Sequence, residues 1–374
     1  MKKTASRFPS QADIARMTGV DQSTVSLVLQ GRPNISQKTR ARILELTSQL
    51  NYQPNAHAQS LRRGKSDLIG VVTAPLRNLF HAQLVDRIGN ELRNAGLQMM
   101  LRQSYGGKDE ERAHMLELLD RRAVGVIVET THPELVQEIP AIIGRTMPLV
   151  VMGPTIEGSA SVSCDRFRGG SMAAEHLLSL GRQTPVVFSG AGSKSEDRGP
   201  KVEGFVRTIS AAGFSTKELL IPKDLCEELA CDAHPALAVD IGYQMARVLI
   251  GHYPDADSLF CVSDELAMGL ISGLLDLKIE IPERIAIVGF DDVSQSRYAA
   301  IPLTTIRQPI EEYACVAVNM LLEQIESGGH GRPKRLDCEL IVRASTHANW
   351  RPHMSIKSHP FNVKGGHGKE QFCY

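Results

Sequence analysis

The feature that most constrains the fold of this 374-residue chain is a change in hydrophobic period near residue 67. Before that point, apolar residues recur at helical spacing only. After it, short apolar runs typical of buried strands alternate with amphipathic helices, first between residues 68 and 152 and again between residues 170 and 290. Two successive strand–helix series predict two lobes, each built on a parallel, doubly wound sheet.

The first 66 residues differ from the remainder in charge. They carry eleven Lys and Arg residues against three Asp and Glu, a net charge of +8, and because the whole chain is neutral the remainder sums to −8. A small basic segment attached to an acidic body indicates that a polyanion binds that segment alone.

The basic segment also has the spacing of a helix-turn-helix. Ser10 is a suitable N-cap for a first helix, Gly19 permits a tight turn, and Asp21 can cap a second helix in which Val25 and Val28 face inward. The residues predicted to face outward from the second helix are Gln22, Ser23, Ser26 and Leu27. Such a motif places the start of its second helix in the major groove of DNA. A three-helix bundle without a DNA role is the alternative that this pattern alone leaves open.

Several other classes of function are not expected. The seven cysteines lack metal-ligand spacing and are interpreted as reduced thiols of a cytoplasmic protein, with no metal and no cofactor. The N-terminus lacks the apolar stretch of a secretion signal, and no apolar run approaches the roughly 20 residues of a membrane span. Residues 189–195 resemble a phosphate-binding loop only faintly, because both required glycines are missing, so catalysis is not expected. The polar residues 351–374 are predicted to be a disordered tail.

Several motifs together resemble the head and hinge of the LacI/GalR family of transcription regulators. They are Asp13-Ile14-Ala15, Gly19-Val20-Asp21-Gln22-Ser23-Thr24-Val25-Ser26, Ile35-Ser36-Gln37-Lys38-Thr39-Arg40, Asn51-Tyr52-Gln53-Pro54-Asn55-Ala56 and Ser60-Leu61-Arg62. The resemblance continues to about residue 350. It implies an all-α helix-turn-helix head at 1–54, a hinge helix and linker at 55–66, and a body at 67–350 with the two-lobed fold of periplasmic binding proteins of type I. The N-lobe is expected at about 67–165 and 294–325, and the C-lobe at about 166–293 and 326–350.

The resemblance also implies which residues contact DNA. The expected base-reading residues are Asp21, Gln22, Ser23 and Leu27. Ala58 and Leu61 are expected to contact the minor groove from the hinge, with Leu61 as an apolar wedge between base steps. The residues expected at phosphates are Ser26, Asn34, Ser36, Lys38 and Tyr52. A Gln amide can bond adenine with two hydrogen bonds, whereas Leu27 replaces the Arg of some members and suits a thymine methyl.

Side chains at predicted strand ends are the candidate effector contacts, because ligands of doubly wound sheets lie beyond the carboxyl ends of the strands. The candidates are Phe80, His81, Asp165, Arg198, Asp264 and Asp291. Aromatic faces with Asp and Arg suit a sugar or sugar acid, although a purine can be held similarly, and each carboxylate can instead cap a helix. Pro75 and Lys201 stand where many family members have Asp and Arg, and residues 226–240 are extra, so the pocket chemistry can differ from that of sugar-binding members.

The sequence therefore predicts a homodimeric repressor that binds a near-palindromic operator in double-stranded DNA. A small metabolite between the lobes is expected to change its operator affinity, in a direction that the sequence leaves open. The alternative is a small-molecule receptor of the periplasmic-binding-protein type that has no DNA role. This alternative arises because the body is expected to have the fold of such receptors. The basic head and the missing signal argue against that alternative.

Overall fold

The computed structural model describes the chain from residue 9 to residue 350, apart from residues 30, 34, 51, 53–65, 131, 133, 144–146, 190–198, 221–236 and 330. Contacts divide the chain into two compact units, a head within residues 1–67 and a body within residues 68–374. Within the described ranges, no helix has both the length and the apolar character that crossing a bilayer requires.

The head contains three helices, α1 (Gln11–Thr18), α2 (Gln22–Leu29) and α3 (Gln37–Gln49). The predicted cap of α1 is confirmed as a capping box: Ser10 Oγ accepts a hydrogen bond from the Asp13 amide at 3.3 Å, and Asp13 Oδ2 accepts one from the Ser10 amide at 3.0 Å. Gly19 ends α1 with φ 64°, a conformation that glycine adopts without strain. The buried residues that hold the three helices together are Ile14, Ala15, Val25, Val28 and Ile43.

The body contains two six-stranded sheets, as the two predicted strand–helix series require. The strands of the N-lobe are β1 (Leu68–Thr73), β2 (Gln98–Gln103), β3 (Gly125–Glu129), β4 (Leu149–Met152), β5 (Ser161–Cys164) and β11 (Lys334–Leu336). Those of the C-lobe are β6 (Pro185–Phe188), β7 (Lys217–Leu219), β8 (Ser258–Cys261), β9 (Ala286–Asp291), β10 (Thr304–Arg307) and β12 (Glu339–Ile341). The spatial orders are β11-β5-β4-β3-β1-β2 and β12-β10-β9-β8-β6-β7. All neighbours pair in parallel except β10 and β12.

Helices cover both faces of each sheet. Those of the N-lobe are α4 (Leu79–Asn94), α5 (Lys108–Asp120), α6 (Leu135–Ile143) and α11 (Ile310–Ser327). Those of the C-lobe are α7 (Arg166–Ser179), α8 (Pro200–Ala211), α9 (Ala238–His252) and α10 (Asp264–Asp276), with a short 3₁₀ helix at Ser294–Arg297. In the N-lobe, Ile69 and Val71 of β1 pack beneath α4 and α11, while Val72 packs with residues of α5. This alternation is what a strand buried on both faces requires.

The chain crosses between the lobes at positions other than those predicted. β10 pairs with β9 in the C-lobe, α11 then packs in the N-lobe core through Tyr313 and Leu321, and β11 and β12 belong to different sheets. The expected assignment of 294–325 to the N-lobe and 326–350 to the C-lobe is therefore wrong for residues 304–307 and 334–336. Strands of three or four residues, one of them beginning with two threonines, carry too little hydrophobic pattern to be located from the sequence.

Two C-lobe helices approach each other unusually closely. A Cβ atom added at Gly170 of α7 would lie 1.9 Å from the carbonyl oxygen of Lys201 in α8, and one added at Gly204 of α8 would lie 2.0 Å from that of Phe167 in α7. Only glycine permits backbones this close. The pair of glycines therefore sets the relative position of the first turns of α7 and α8, which carry Arg166 and Lys201.

Candidate functional site

The outer side of α2 carries the predicted base-reading residues. Gln22, Ser23 and Leu27 are exposed, the last to 42%, whereas Val25 and Val28 of the same helix are buried. Asp21 precedes the helix and is also exposed, and its carbonyl oxygen accepts hydrogen bonds from the amides of the first turn. The head core thus uses one side of α2 and leaves polar and apolar side chains on the other side available to a partner.

Ser26 departs from the expectation that it faces outward. It is only 8% exposed and lies next to Val25, on the side of α2 that packs into the head core. A direct phosphate contact by Ser26, as expected from the family resemblance, is not supported by this burial.

The other predicted phosphate contacts have varied surroundings. Lys38 is exposed, and Ser36 is exposed while its Oγ caps α3 by accepting the Thr39 amide at 3.2 Å. Tyr52 is half-buried and packs against the head core. Asn34, Ala58 and Leu61 lie outside the described residues.

A cavity of about 870 Å³ lies between the two lobes of the body. This size is typical of sites for small molecules. Of the predicted effector contacts, Phe80, His81, Asp165 and Asp291 line it. Phe80 is only 3% exposed and belongs to the N-lobe core, so its side chain both stabilises that core and lines the cavity. Arg198 lies outside the described residues.

Asp264 does not line the cavity, and its prediction as an effector contact is corrected by its surroundings. It is fully buried, with Oδ1 accepting the Thr305 hydroxyl at 2.5 Å and Oδ2 accepting the Val293 amide at 2.9 Å. Burial, and then the nearby Asp291, raise the pKa of Asp264 well above its usual value. This side chain ties the start of α10 to β10 and to the segment after β9, which is a structural role.

The C-lobe wall of the cavity is built around Asp291, at the carboxyl end of β9. Its Oδ1 accepts hydrogen bonds from Gln308 Nε2 at 2.7 Å and from Lys201 Nζ at 3.3 Å. Asp291 has φ 116°, a strained value for a residue with a side chain, and these contacts help to hold it. The ammonium of Lys201 also donates to the Val262 carbonyl at 2.9 Å and lies 3.8 Å from the centroid of the Phe290 ring. This wall therefore presents a fixed carboxylate and a fixed ammonium.

The N-lobe wall carries a second polar group, which the sequence reasoning found only in part. His81 Nδ1 lies 2.9 Å from Glu129 Oε2, and the Thr73 hydroxyl donates to the same oxygen at 2.9 Å. Burial raises the pKa of Glu129, but His81, Thr73 and the charge of Arg166 outweigh it, so the net shift is downward. Glu129 ends β3, so the strand-end rule that selected Asp291 also applied to it.

A neighbouring carboxyl group of the N-lobe wall is shifted in the opposite direction. Burial raises the pKa of Glu111, although the hydrogen bond from the Thr130 hydroxyl opposes the change. Both residues line the cavity, so one wall holds one carboxyl group with a lowered pKa and one with a raised pKa.

Arg166, the first residue of α7, lines the cavity and was not predicted. Its Nε atom is buried and has no hydrogen-bond partner among the described residues. The signal that could have found it is its position directly after Cys164-Asp165, where β5 ends at the lobe boundary. In the described part of the chain, no group of His, Cys, Asp and Glu side chains has the arrangement of a metal site.

Two family profiles match parts of the chain. The profile of bacterial regulatory proteins of the lacI family matches residues 12–55, and that of the periplasmic binding protein-like domain matches residues 174–346. The chain thus combines a lacI-type DNA-binding head with a periplasmic-binding-protein-like body, which defines the class of two-domain transcription regulators.

Similar proteins cover nearly the whole chain. The transcriptional regulator reg1 of Streptomyces lividans is 32% identical over 90% of this chain and 96% of its own length. The transcriptional repressor PurR of Photobacterium profundum is 27% identical over 89% of this chain and 97% of its own. The chain belongs to the LacI family of bacterial regulatory proteins, as the sequence motifs predicted.

Solved structures show the same fold. The lac repressor dimer bound to operator and an anti-inducer superimposes with a TM-score of 0.74 at 22% identity, covering 91% of this chain and 99% of that one. A LacI-family regulator of Enterococcus faecium with bound ribose has a TM-score of 0.63 at 28% identity, covering 75% and 98%. The predicted combination of a helical head with a two-lobed body of parallel sheets is confirmed.

Proposed function

We propose that this protein is a homodimeric repressor that binds a near-palindromic operator through its two heads. The observation that carries the proposal is the division of α2 into a buried side, with Val25 and Val28, and an exposed side, with Gln22, Ser23 and Leu27. An exposed Gln near the start of such a helix can bond adenine in the major groove. Ala58 and Leu61 are proposed to contact the minor groove from the hinge.

We further propose that a small metabolite in the cavity changes the affinity of the heads for the operator. The cavity is large enough, and residues of both lobes line it, so a ligand there would favour one arrangement of the lobes over another. A coupling of about 1–3 kcal/mol corresponds to roughly 5–150-fold in affinity and is typical of allosteric proteins. A sugar or sugar acid is favoured, and the ribose bound by the Enterococcus faecium relative supports that choice. A purine is the alternative ligand.

The test is selection of binding sites by the full-length protein from a pool of randomised duplexes, followed by titration of the selected duplex. Gln22→Ala should weaken binding to the selected duplex by roughly 5–150-fold, because it removes one bidentate base contact. Its binding to unrelated duplex should change little, since phosphate contacts supply that affinity.

Gln49→Ala is the matched control, because Gln49 is an exposed glutamine on α3 of the same head. It should bind the selected duplex as the wild type does. Failure of the wild-type protein to enrich any sequence, or equal losses for the two variants, would contradict the proposed operator contact.

A further inference from the structure

The charged side chains that line the cavity have an ion-pair or hydrogen-bond partner, with one exception among the described residues. Lys201 Nζ lies 3.3 Å from Asp291 Oδ1, and Arg335 Nη1 lies 3.5 Å from Asp165 Oδ2. Glu129 is flanked by His81 and Thr73, as described above. Arg166 alone among these lining residues takes part in no ion pair or hydrogen bond with its side chain in the described part of the chain.

The side chain of Arg166 is half-buried, and its Nε atom is shielded from solvent without a hydrogen-bond partner among the described residues. Arginine stays charged in proteins, and a buried N–H donor without an acceptor lacks the hydrogen bond that it makes with water in the unfolded chain. Buried polar groups without partners are rare in native proteins, and the ones that occur call for an explanation. A ligand that supplies the missing partner is one such explanation, because binding then restores what the folded protein lacks.

Burial lowers the pKa of Arg166, but the charges of nearby groups, Glu129 and Asp291 among them, raise it overall. Two helix ends close to Arg166 favour a further negatively charged partner. Arg166 and Lys201 belong to the first turns of α7 and α8, so the positive ends of two helices of 14 and 12 residues lie beside them. Burial lowers the pKa of Lys201, and the charge of Arg166 lowers it further, so the two cations repel each other. An anion between or beside them would relieve this repulsion.

We propose that the effector carries a carboxylate or phosphate group and that Arg166 binds this group in the cavity. The inference rests on the proposed function, because it names the class of effector that the same cavity takes. The planar guanidinium can bond either group through two parallel N–H donors. Gln308, whose Oε1 is also buried without a partner among the described residues, is the proposed acceptor for a ligand hydroxyl.

The experiment measures binding of two matched sets of probes to the full-length protein by titration calorimetry at constant ionic strength. One set is glucose, gluconate and glucose 6-phosphate, and the other is ribose, ribonate and ribose 5-phosphate. We expect an acidic member of one set to bind at least tenfold more tightly than its neutral counterpart. The acid and phosphate arms then distinguish the two sources of the anionic group.

Arg166→Gln should weaken binding of the preferred anionic probe by about 10- to 100-fold, the usual value of a hydrogen-bonded charge pair. Without ligand, the melting temperature of this variant should equal or exceed that of the wild type, because the buried Nε–H group that lacks a partner has been removed. A merely structural arginine would instead lower it. Arg166→Lys should retain part of the affinity, since it keeps the charge but loses the paired donors.

Arg168→Gln is the control, because Arg168 is an exposed cation on the same helix that pairs with Glu175 outside the cavity. It should leave probe binding unchanged. The proposal is overturned if no anionic probe binds, if neutral probes bind as tightly, or if Arg166→Gln and Arg168→Gln have equal effects. Operator binding without probes is measured in parallel, and its presence in all variants would leave the proposed function intact whatever the probes do.

Discussion

The two candidate sites of this protein differ in how their residues are held. On α2 of the head, Gln22 and Leu27 are exposed and the head core uses other residues. In the cavity of the body, Asp291 and Lys201 bond each other and their neighbours, and both depend on elements far apart in sequence. The comparison teaches that substitutions on the head surface should alter binding alone, whereas most substitutions around the cavity should alter binding and stability together.

The largest expected effect comes from Gly170→Ala in the C-lobe. The added methyl group would lie 1.9 Å from the carbonyl oxygen of Lys201, so α7 and α8 must separate. Overpacking of backbone against backbone should lower the free energy of unfolding by about 3 kcal/mol or more. Urea denaturation of the body should detect this loss, and probe binding should weaken because Arg166 and Lys201 move apart.

Gly199→Ala is the control for that substitution. Gly199 lies next to the first turn of α8, has φ −61°, and has no atom within 4 Å of an added Cβ. The free energy of unfolding of the Gly199→Ala variant should stay within about 0.5 kcal/mol of the wild-type value. If Gly170→Ala proved equally mild, the close approach of the two helices would not determine the geometry of the cavity wall.

A smaller effect is expected from Asp264, the buried carboxyl group behind the cavity. Asp264→Ala leaves the Val293 amide and the Thr305 hydroxyl without their acceptor, which should cost about 2–3 kcal/mol. Asp264→Asn keeps the shape and one acceptor, and about 1 kcal/mol is expected for it. Chemical denaturation at a single pH would rank the three proteins.

The same carboxyl group predicts a pH dependence with a definite sign. The folded protein raises the pKa of Asp264 above its unfolded value, so the folded state favours the protonated form. Its contribution to stability is therefore complete below the unfolded pKa and is lost as pH rises through the folded pKa. The stability advantage of the wild type over Asp264→Asn should shrink as the pH rises above the unfolded pKa of an aspartate, which is about 4. An advantage that is constant or grows with pH would contradict the assignment.

Asp264 and Asp291 also show where reasoning from the sequence stops. Both follow predicted C-lobe strands, and both were therefore expected in the cavity. Whether each carboxylate faces the cavity depends on partners that are distant in sequence. Asp264 is held in the interior by Thr305, whereas Asp291 is held at the cavity by Lys201, which lies 90 residues before it. Local patterns contain no information about such contacts.

The periodic elements were predictable for the opposite reason. The stripe of Leu84, Ile88 and Leu92 in α4 and the capped helix of Ser10 depend on residues within a few positions of each other, and both were predicted correctly. The short strands β10, β11 and β12 were missed because their place is set by pairing across sheets. Arg166 was missed although it directly follows a predicted contact, because nothing local indicates that a guanidinium will lack a partner.

The smallest expected effect concerns Ser36, which tests whether the contrast between head and cavity is complete. Ser36 is an exposed candidate phosphate contact, yet its Oγ also caps α3 by accepting the Thr39 amide. Ser36→Ala should therefore destabilise α3 by about 1 kcal/mol, seen as faster hydrogen exchange in residues 37–49 of the full-length protein. Ser36→Asp should keep the cap, because Asp is an equally good N-cap, but should repel a phosphate and weaken operator binding. If Ser36→Asp bound operator as well as the wild type does, Ser36 would cap α3 without contacting DNA. An exposed residue of the head would then stabilise the fold and take no part in binding.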